Sequence, residues 1–92
     1  MNLEIALVDI LKANKLTISF AESCTCGLLA SKIGNVPGAS CVFNESYITY
    51  ANSSKTKILG VKEETLNTFG AVSFQTALEM SLGVKNVSGS DI

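Results

Sequence analysis

The chain has 92 residues, 47% hydrophobic and 16% charged, with a formal net charge of −1. That length suits a single domain covering residues 1–92 with a thin stability margin, and the composition excludes disorder while leaving little polar surface, so an unpaired apolar face is expected. Seven lysines, no arginine and eight acids create no basic field for nucleic acid or anionic lipid.

At the N-terminus, MNLEIALVDILKAN has a spacing closer to 3.6 than to alternation, which predicts a helix over 2–14 with Asn14 near its end. Acids interrupt its apolar pattern, and it has neither a basic leader nor a small-residue cleavage site, so it does not read as a signal peptide. No run approaches the ~20 apolar residues of a membrane span, and a cytoplasmic protein is expected. LTISFA is short and β-branched, as a buried strand is, and it runs directly into AESCTCG. GLLASKIGNV then predicts a helix stopping at Gly34 and Asn35, before Pro37-Gly38. CVFNESYITYA reads as a second strand, with a bulge or turn end at Asn44–Ser46. Asn52–Ser54 forms a natural cap cluster for a short helix, SSKTKILG, closed by Gly60. VKEETLNTFG gives another, closed by Gly70. Ser73 caps the last, FQTALEMSLGVKNV, and SGSDI trails away with Asp91-Ile92 like the entry to something further. Two strands fall short of the three or more that an independent sheet usually needs, so the architecture reads as unfinished.

AESCTCG is therefore a strand-to-helix junction, where exposed backbone N–H groups can hold a phosphate or a developing oxyanion. Ser23, Cys24 and Thr25 sit there, and position alone favours a plain capping role for Ser23 or Thr25. Glu22 is open to two readings, a general acid or base, or an anion anchoring the helix start. Histidine is absent, which excludes Ser-His and Cys-His couples and any histidine-containing zinc site within the chain. Cys24 and Cys26 are one residue apart, a spacing that suits neither a CxxC redox pair nor a zinc knuckle. They read as small buried thiols under the helix, and no metal or cofactor is expected. TYANSSK, residues 49–55, is the second cluster. A lysine there, just past a strand end, can reach a neighbouring strand end and act as base for a serine once removed from water, although Lys55 and Lys57 also suit solvated helix positions. Tyr50 can offer a donor to a moving proton or an oxyanion.

Three blocks, AESCTCGLLASKIGNVPGAS, VFNESYITYANSSKTKILGV and TFGAVSFQTALEMSLGV, resemble the CinA C-terminal domain family in order and spacing, over about residues 3–92. The resemblance implies a three-layer α/β/α sandwich with a mixed sheet. The implied activity is hydrolysis of the carboxamide of nicotinamide mononucleotide to nicotinate mononucleotide and ammonia, by a serine with a lysine partner. Position by position it assigns Ser23 as nucleophile, Lys55 as its base and Tyr50 as substrate-orienting or proton-relaying group. Glu22, Thr25, Gly27 and Asn52 become substrate-binding residues, and the junction amides steady the oxyanion. The chain departs from the family at Cys26, which stands where TGG has glycine, and side chain there replaces hydrogen where backbone must approach a ligand or take positive φ. The family domain also continues past the position of SDI into another strand, a Gly-rich loop and a hairpin, so the chain is expected to represent the N-terminal portion of the domain.

Two function classes follow. In one the chain is an amidohydrolase acting on a small nucleotide, its sheet completed by another polypeptide or another copy. In the other it is a non-catalytic remnant or self-association module whose exposed sheet edge drives homo-oligomerisation. A small redox protein using Cys24 and Cys26 is a distant third, because the spacing is poor for it.

Overall fold

The computed structural model describes residues 2–92. Asn2 opens α1 (Leu3–Asn14) by accepting the Ile5 N–H on its side-chain oxygen at 3.0 Å, and Lys15 closes it in left-handed backbone at φ 55. β1 (Ile18–Glu22) follows, then α2 (Leu28–Gly34), a 3-10 turn at Ala39–Cys41, β2 (Phe43–Ile48), α3 (Asn52–Leu59), α4 (Glu63–Phe69) and α5 (Phe74–Ser88). The order matches the expected one, with small shifts at the ends. α3 is preceded by Ala51, which has no capping side chain, and the Asn52–Ser54 cluster lies inside the helix instead of capping it. Ser73 does cap α5, accepting the Thr76 N–H at 3.1 Å.

β1 and β2 run parallel, and α2 with the 3-10 turn supplies the crossover that a parallel pair requires. Ile18 pairs with Phe43 but Phe20 with Ser46, so two steps along β1 match three along β2. The extra residue falls within the Asn44–Ser46 stretch expected to bulge, and the Ser46 hydroxyl donates to the Phe20 carbonyl at 2.6 Å there.

Helices cover both faces of this small sheet. On one, Val8 and Leu11 of α1 pack with Ile18, Ile33, Val36, Ala39 and Val42, and on the other Leu59, Val61, Met80 and Val84 join α3 and α5. The result is an α/β/α layering in which the second core is the thinner. Its outer helix shows the expected unpaired apolar face, with Phe74, Leu78 and Leu82 exposed at four-residue intervals on α5.

SGSDI is tied down, contrary to the trailing end expected. The Asp91 carboxylate accepts from the Thr17 N–H at 2.9 Å and its hydroxyl at 3.1 Å. The Ile92 N–H donates to the Thr17 carbonyl and the Ser19 N–H to the Ile92 carbonyl, both at 3.0 Å. That pair of bonds is one rung of a parallel ladder on the edge of β1 away from β2.

Candidate active site

Parallel strands bring their C-terminal ends to the same side of a sheet, which is where α/β folds place their ligands. Glu22, the last residue of β1, pairs with Ile48, the last of β2, and the Thr49 N–H donates to the Glu22 carbonyl at 2.8 Å. Ser23 and Tyr50 therefore leave the sheet side by side. α3 starts within two residues of Tyr50, and its first turn carries Lys55 back over the strand ends.

Lys55 is 1% exposed. Its Nζ lies 3.0 Å from Ser23 Oγ and donates to the carbonyls of Thr49 and Tyr50, each at 2.9 Å. Among the described residues the one ion pair is Lys32 with Glu4 at 4.0 Å, so no carboxylate faces the Lys55 amine. The geometry accepts either form of that amine. An ammonium donates to all three oxygens, whereas a neutral amine donates to the two carbonyls and turns its lone pair toward the Ser23 hydroxyl proton. A serine, a buried amine fixed by two backbone acceptors and a strand-end turn are the parts of a nucleophile with its base. The solvated reading of Lys55 does not survive this placement.

Glu22 holds the turn. It is 3% exposed and faces inward, where its two oxygens accept the N–H groups of Leu29 and Ala30, each at 3.0 Å. Glu22 thereby caps α2, whose N-terminal residue Gly27 offers no side chain, and neither Ser23 nor Thr25 serves as the cap. This is the anchoring role that was one of the two readings of Glu22, and it corrects the substrate-binding role implied by the resemblance, because the carboxylate is consumed by the fold. Burial by itself would raise the Glu22 carboxyl, but the N–H groups of Ala30 and Leu29, with the Thr25 hydroxyl and the Gly27 N–H, hold it below the usual range. A lowered carboxyl stabilises the fold above its unfolded value, and that share is lost as pH falls through the folded value. Glu22→Gln is therefore expected to cost about 1–2 kcal/mol near neutral pH. The gap from the parent should shrink between about pH 5 and pH 3, as read by denaturant unfolding. Parallel pH curves would overturn the assignment. Acid sensitivity left in the variant has a source in Glu79, held low by the Lys62 N–H and the Thr65 hydroxyl at the start of α4.

The turn also explains Thr25, Cys26 and Gly27. The Cys26 N–H closes on the Ser23 carbonyl and the Leu28 N–H on the Thr25 carbonyl, both at 3.0 Å. Across the second closure Cys26 has φ 52 and Gly27 φ 93, two consecutive left-handed residues. The expectation that Cys26 occupies a position suited to glycine holds for its backbone. Gly27 leaves no room as well, since a Cβ there would lie 3.0 Å from Ile48 Cδ1. Cys24, Cys26 and Cys41 are all exposed, which corrects the expectation of buried thiols, because the turn carries the first two outward. With the Gly27, Leu29 and Ala30 amides spent on Glu22, the helix start itself offers an oxyanion little. Among the described residues, the N–H groups of Cys24 and Thr25 have no partner within the protein.

Tyr50 enters the site through its carbonyl, while its side chain is 68% exposed beside it. Asn52 makes no hydrogen bond to Ser23. It lines a cleft between α3 and α4 with Ser53, Thr56, Glu63, Leu66 and Asn67. Sequence reasoning missed Thr49, fully buried, whose carbonyl is one of the two acceptors fixing Lys55. A backbone acceptor leaves no signature in residue type. Only the placement of TYANSSK directly after a strand hinted at it.

Comparison with known proteins bears on the family and the fold. The family model described as the CinA C-terminal domain matches residues 1–92. A CinA-like protein of Kosmotoga olearia is 56% identical over 99% of this chain and 22% of its own length. One of Petrotoga mobilis is 50% identical over 99% of this chain and 23% of its own. Among solved structures, a CinA superfamily protein from Escherichia coli has a TM-score of 0.96 at 34% identity, covering 98% of this chain and 52% of that one. A competence/damage-inducible protein from Agrobacterium tumefaciens has a TM-score of 0.90 at 43% identity, covering 91% and 51%. The chain thus spans under a quarter of the length of those curated relatives and about half of those solved chains. With a family model matched from end to end and the same fold in its solved relatives, the chain belongs to the CinA C-terminal domain family.

Proposed function

We propose that this chain carries the nucleophile and base of an amidohydrolase that converts nicotinamide mononucleotide to nicotinate mononucleotide and ammonia. The observation that carries the reading is the 3.0 Å approach of Lys55 Nζ to Ser23 Oγ, with the amine buried and fixed by two carbonyls. In the neutral form Lys55 takes the Ser23 proton as Oγ attacks the carboxamide carbon. The carbonyl oxygen becomes an oxyanion, and the free N–H groups of Cys24 and Thr25 are the donors nearest to hand. Lys55 returns the proton to the departing nitrogen, ammonia leaves, and an ester remains on Ser23. Water, deprotonated by the same amine, then releases the carboxylate and restores the hydroxyl. The exposed Tyr50 ring is free to orient the substrate, and Thr25 lies on the outer side of the turn where the nucleotide would arrive. Ammonia release from nicotinamide mononucleotide, with Ser23→Ala as control, tests this reading.

A second reading, self-association without turnover, is favoured by the edge of β1. Beyond the rung made by Ile92, strand alternation sends the Ser19 carbonyl and the Ala21 N–H to that edge. Beside it runs an open cleft of about 420 Å³, walled by Phe20, Ala21, Met80 and Val84 among others. An open strand edge beside an apolar wall is a template for pairing, and a second copy is the partner proposed. Sedimentation velocity should then show a mass that rises with concentration. A monomer throughout the micromolar range would exclude this reading.

A further inference from the structure

The thiols of Cys24 and Cys26 are used by neither the core nor the proposed chemistry, which draws on Cys24 only through its backbone N–H. Both side chains are exposed and unpaired, and they bracket Thr25 on the turn that presents Ser23. We propose that the two thiols form a clamp for a soft monovalent cation that favours two sulfur ligands, of the copper(I) type.

The turn limits how far apart the two residues lie. One intervening residue holds their Cα atoms within about 7 Å. A cation bound by two sulfurs, at about 2.3 Å for each metal–sulfur bond, needs the sulfurs only about 4.6 Å apart. The closure from the Cys26 N–H to the Ser23 carbonyl shortens the span further and fixes it. Since both thiols are already outside the packed body, gathering them around an ion displaces no core side chain.

Ligand count selects the ion. Soft thiolates favour copper(I) and zinc, but a closed structural zinc site takes four ligands. The chain has no histidine, and among the described residues no group of three or more cysteine and carboxylate side chains is placed around one point. Glu22, the nearest carboxylate in sequence, is spent on α2. Two ligands with no third suit a low-coordinate monovalent ion. On binding, each thiol gives up its proton and forms one sulfur–metal bond, so two protons leave, the bis-thiolate complex carries one negative charge, and the ion keeps its oxidation state.

An ion held there sits beside Ser23 on the outer side of the turn and obstructs the approach to its hydroxyl. That consequence rests on the hydrolase reading, whereas binding does not. The test titrates the reduced chain with copper(I) delivered from its bicinchoninate complex under anaerobic conditions. One equivalent per chain is expected, with at least tenfold weaker binding in Cys24→Ser and in Cys26→Ser alike, and unchanged binding in Cys41→Ser. Full affinity in either turn variant, or its loss in Cys41→Ser, would overturn the proposal. Failure of the hydrolase reading would register separately, as absence of ammonia release before any metal is added.

Discussion

Lys55→Ala is expected to lower ammonia release from nicotinamide mononucleotide by about 10³-fold, since a general base and its nucleophile fail together. Three results separate the chemistry from the packing. Alanine also leaves the buried Thr49 carbonyl and that of Tyr50 without their donor, which costs about 1–3 kcal/mol for each such group. Lys55→Met keeps the stem and its volume, so it should recover part of the lost stability and none of the turnover. Lys55→Arg keeps the charge but cannot give up its proton, and it should be as inactive as methionine. An arginine variant with near-parental turnover would show that the cation steadies charge and that the base is elsewhere.

Gly83→Ala is expected to produce the largest loss of stability of the glycine-to-alanine changes. α5 crosses α3 so closely that a Cβ at Gly83 would lie 2.0 Å from the Leu59 carbonyl oxygen and 2.9 Å from its carbon. Backbone cannot swing aside as a long side chain can, so the helices must separate. Leu59, Met80 and Val84 belong to the thinner of the two cores, and parting them opens it. A cost of about 3 kcal/mol is at the upper end for overpacking, against a total of about 5–15 kcal/mol for a domain. Thermal unfolding would register this as a fall in Tm of about 10 °C or more. Gly34→Ala, where nothing lies within 4 Å of the added Cβ, is the matched control and should leave Tm unchanged or raised. Equal effects at the two positions would contradict the close crossing.

Much of this arrangement was legible in the chain. Among the described residues, periodicity located the five helices and two strands, because each element carries its own pattern and its own stop, such as the left-handed Gly60 after α3 and the Ser73 cap of α5. Even the bulge in β2 was marked by Asn44–Ser46. What failed depends on distant partners. Glu22 was open to two readings and the anchoring one holds, whereas the ligand-binding role taken from the resemblance does not: its oxygens meet amides seven and eight residues further on, and that return path exists only once α2 has formed. SGSDI looked loose because its anchors, Thr17 and Ser19, lie more than 70 residues away. The thiols looked buried because cysteine usually is, whereas a turn with two left-handed residues carries them outward. A lysine just past one strand end as base for a serine at the next was open from the sequence, and family resemblance settled it on Ser23 and Lys55. That the two strands pair in parallel, end beside end, and that α3 turns back to bring the amine to the hydroxyl appears only in the fold.

The role proposed for Ser23, a nucleophile activated by Lys55, is tested most directly by ammonia release from nicotinamide mononucleotide, measured side by side for the parent chain and Ser23→Ala after both are shown to be folded by circular dichroism. Steady release is expected from the parent and at least about 10³-fold less from the alanine variant. Equal rates from the two chains, including none from either, would contradict it.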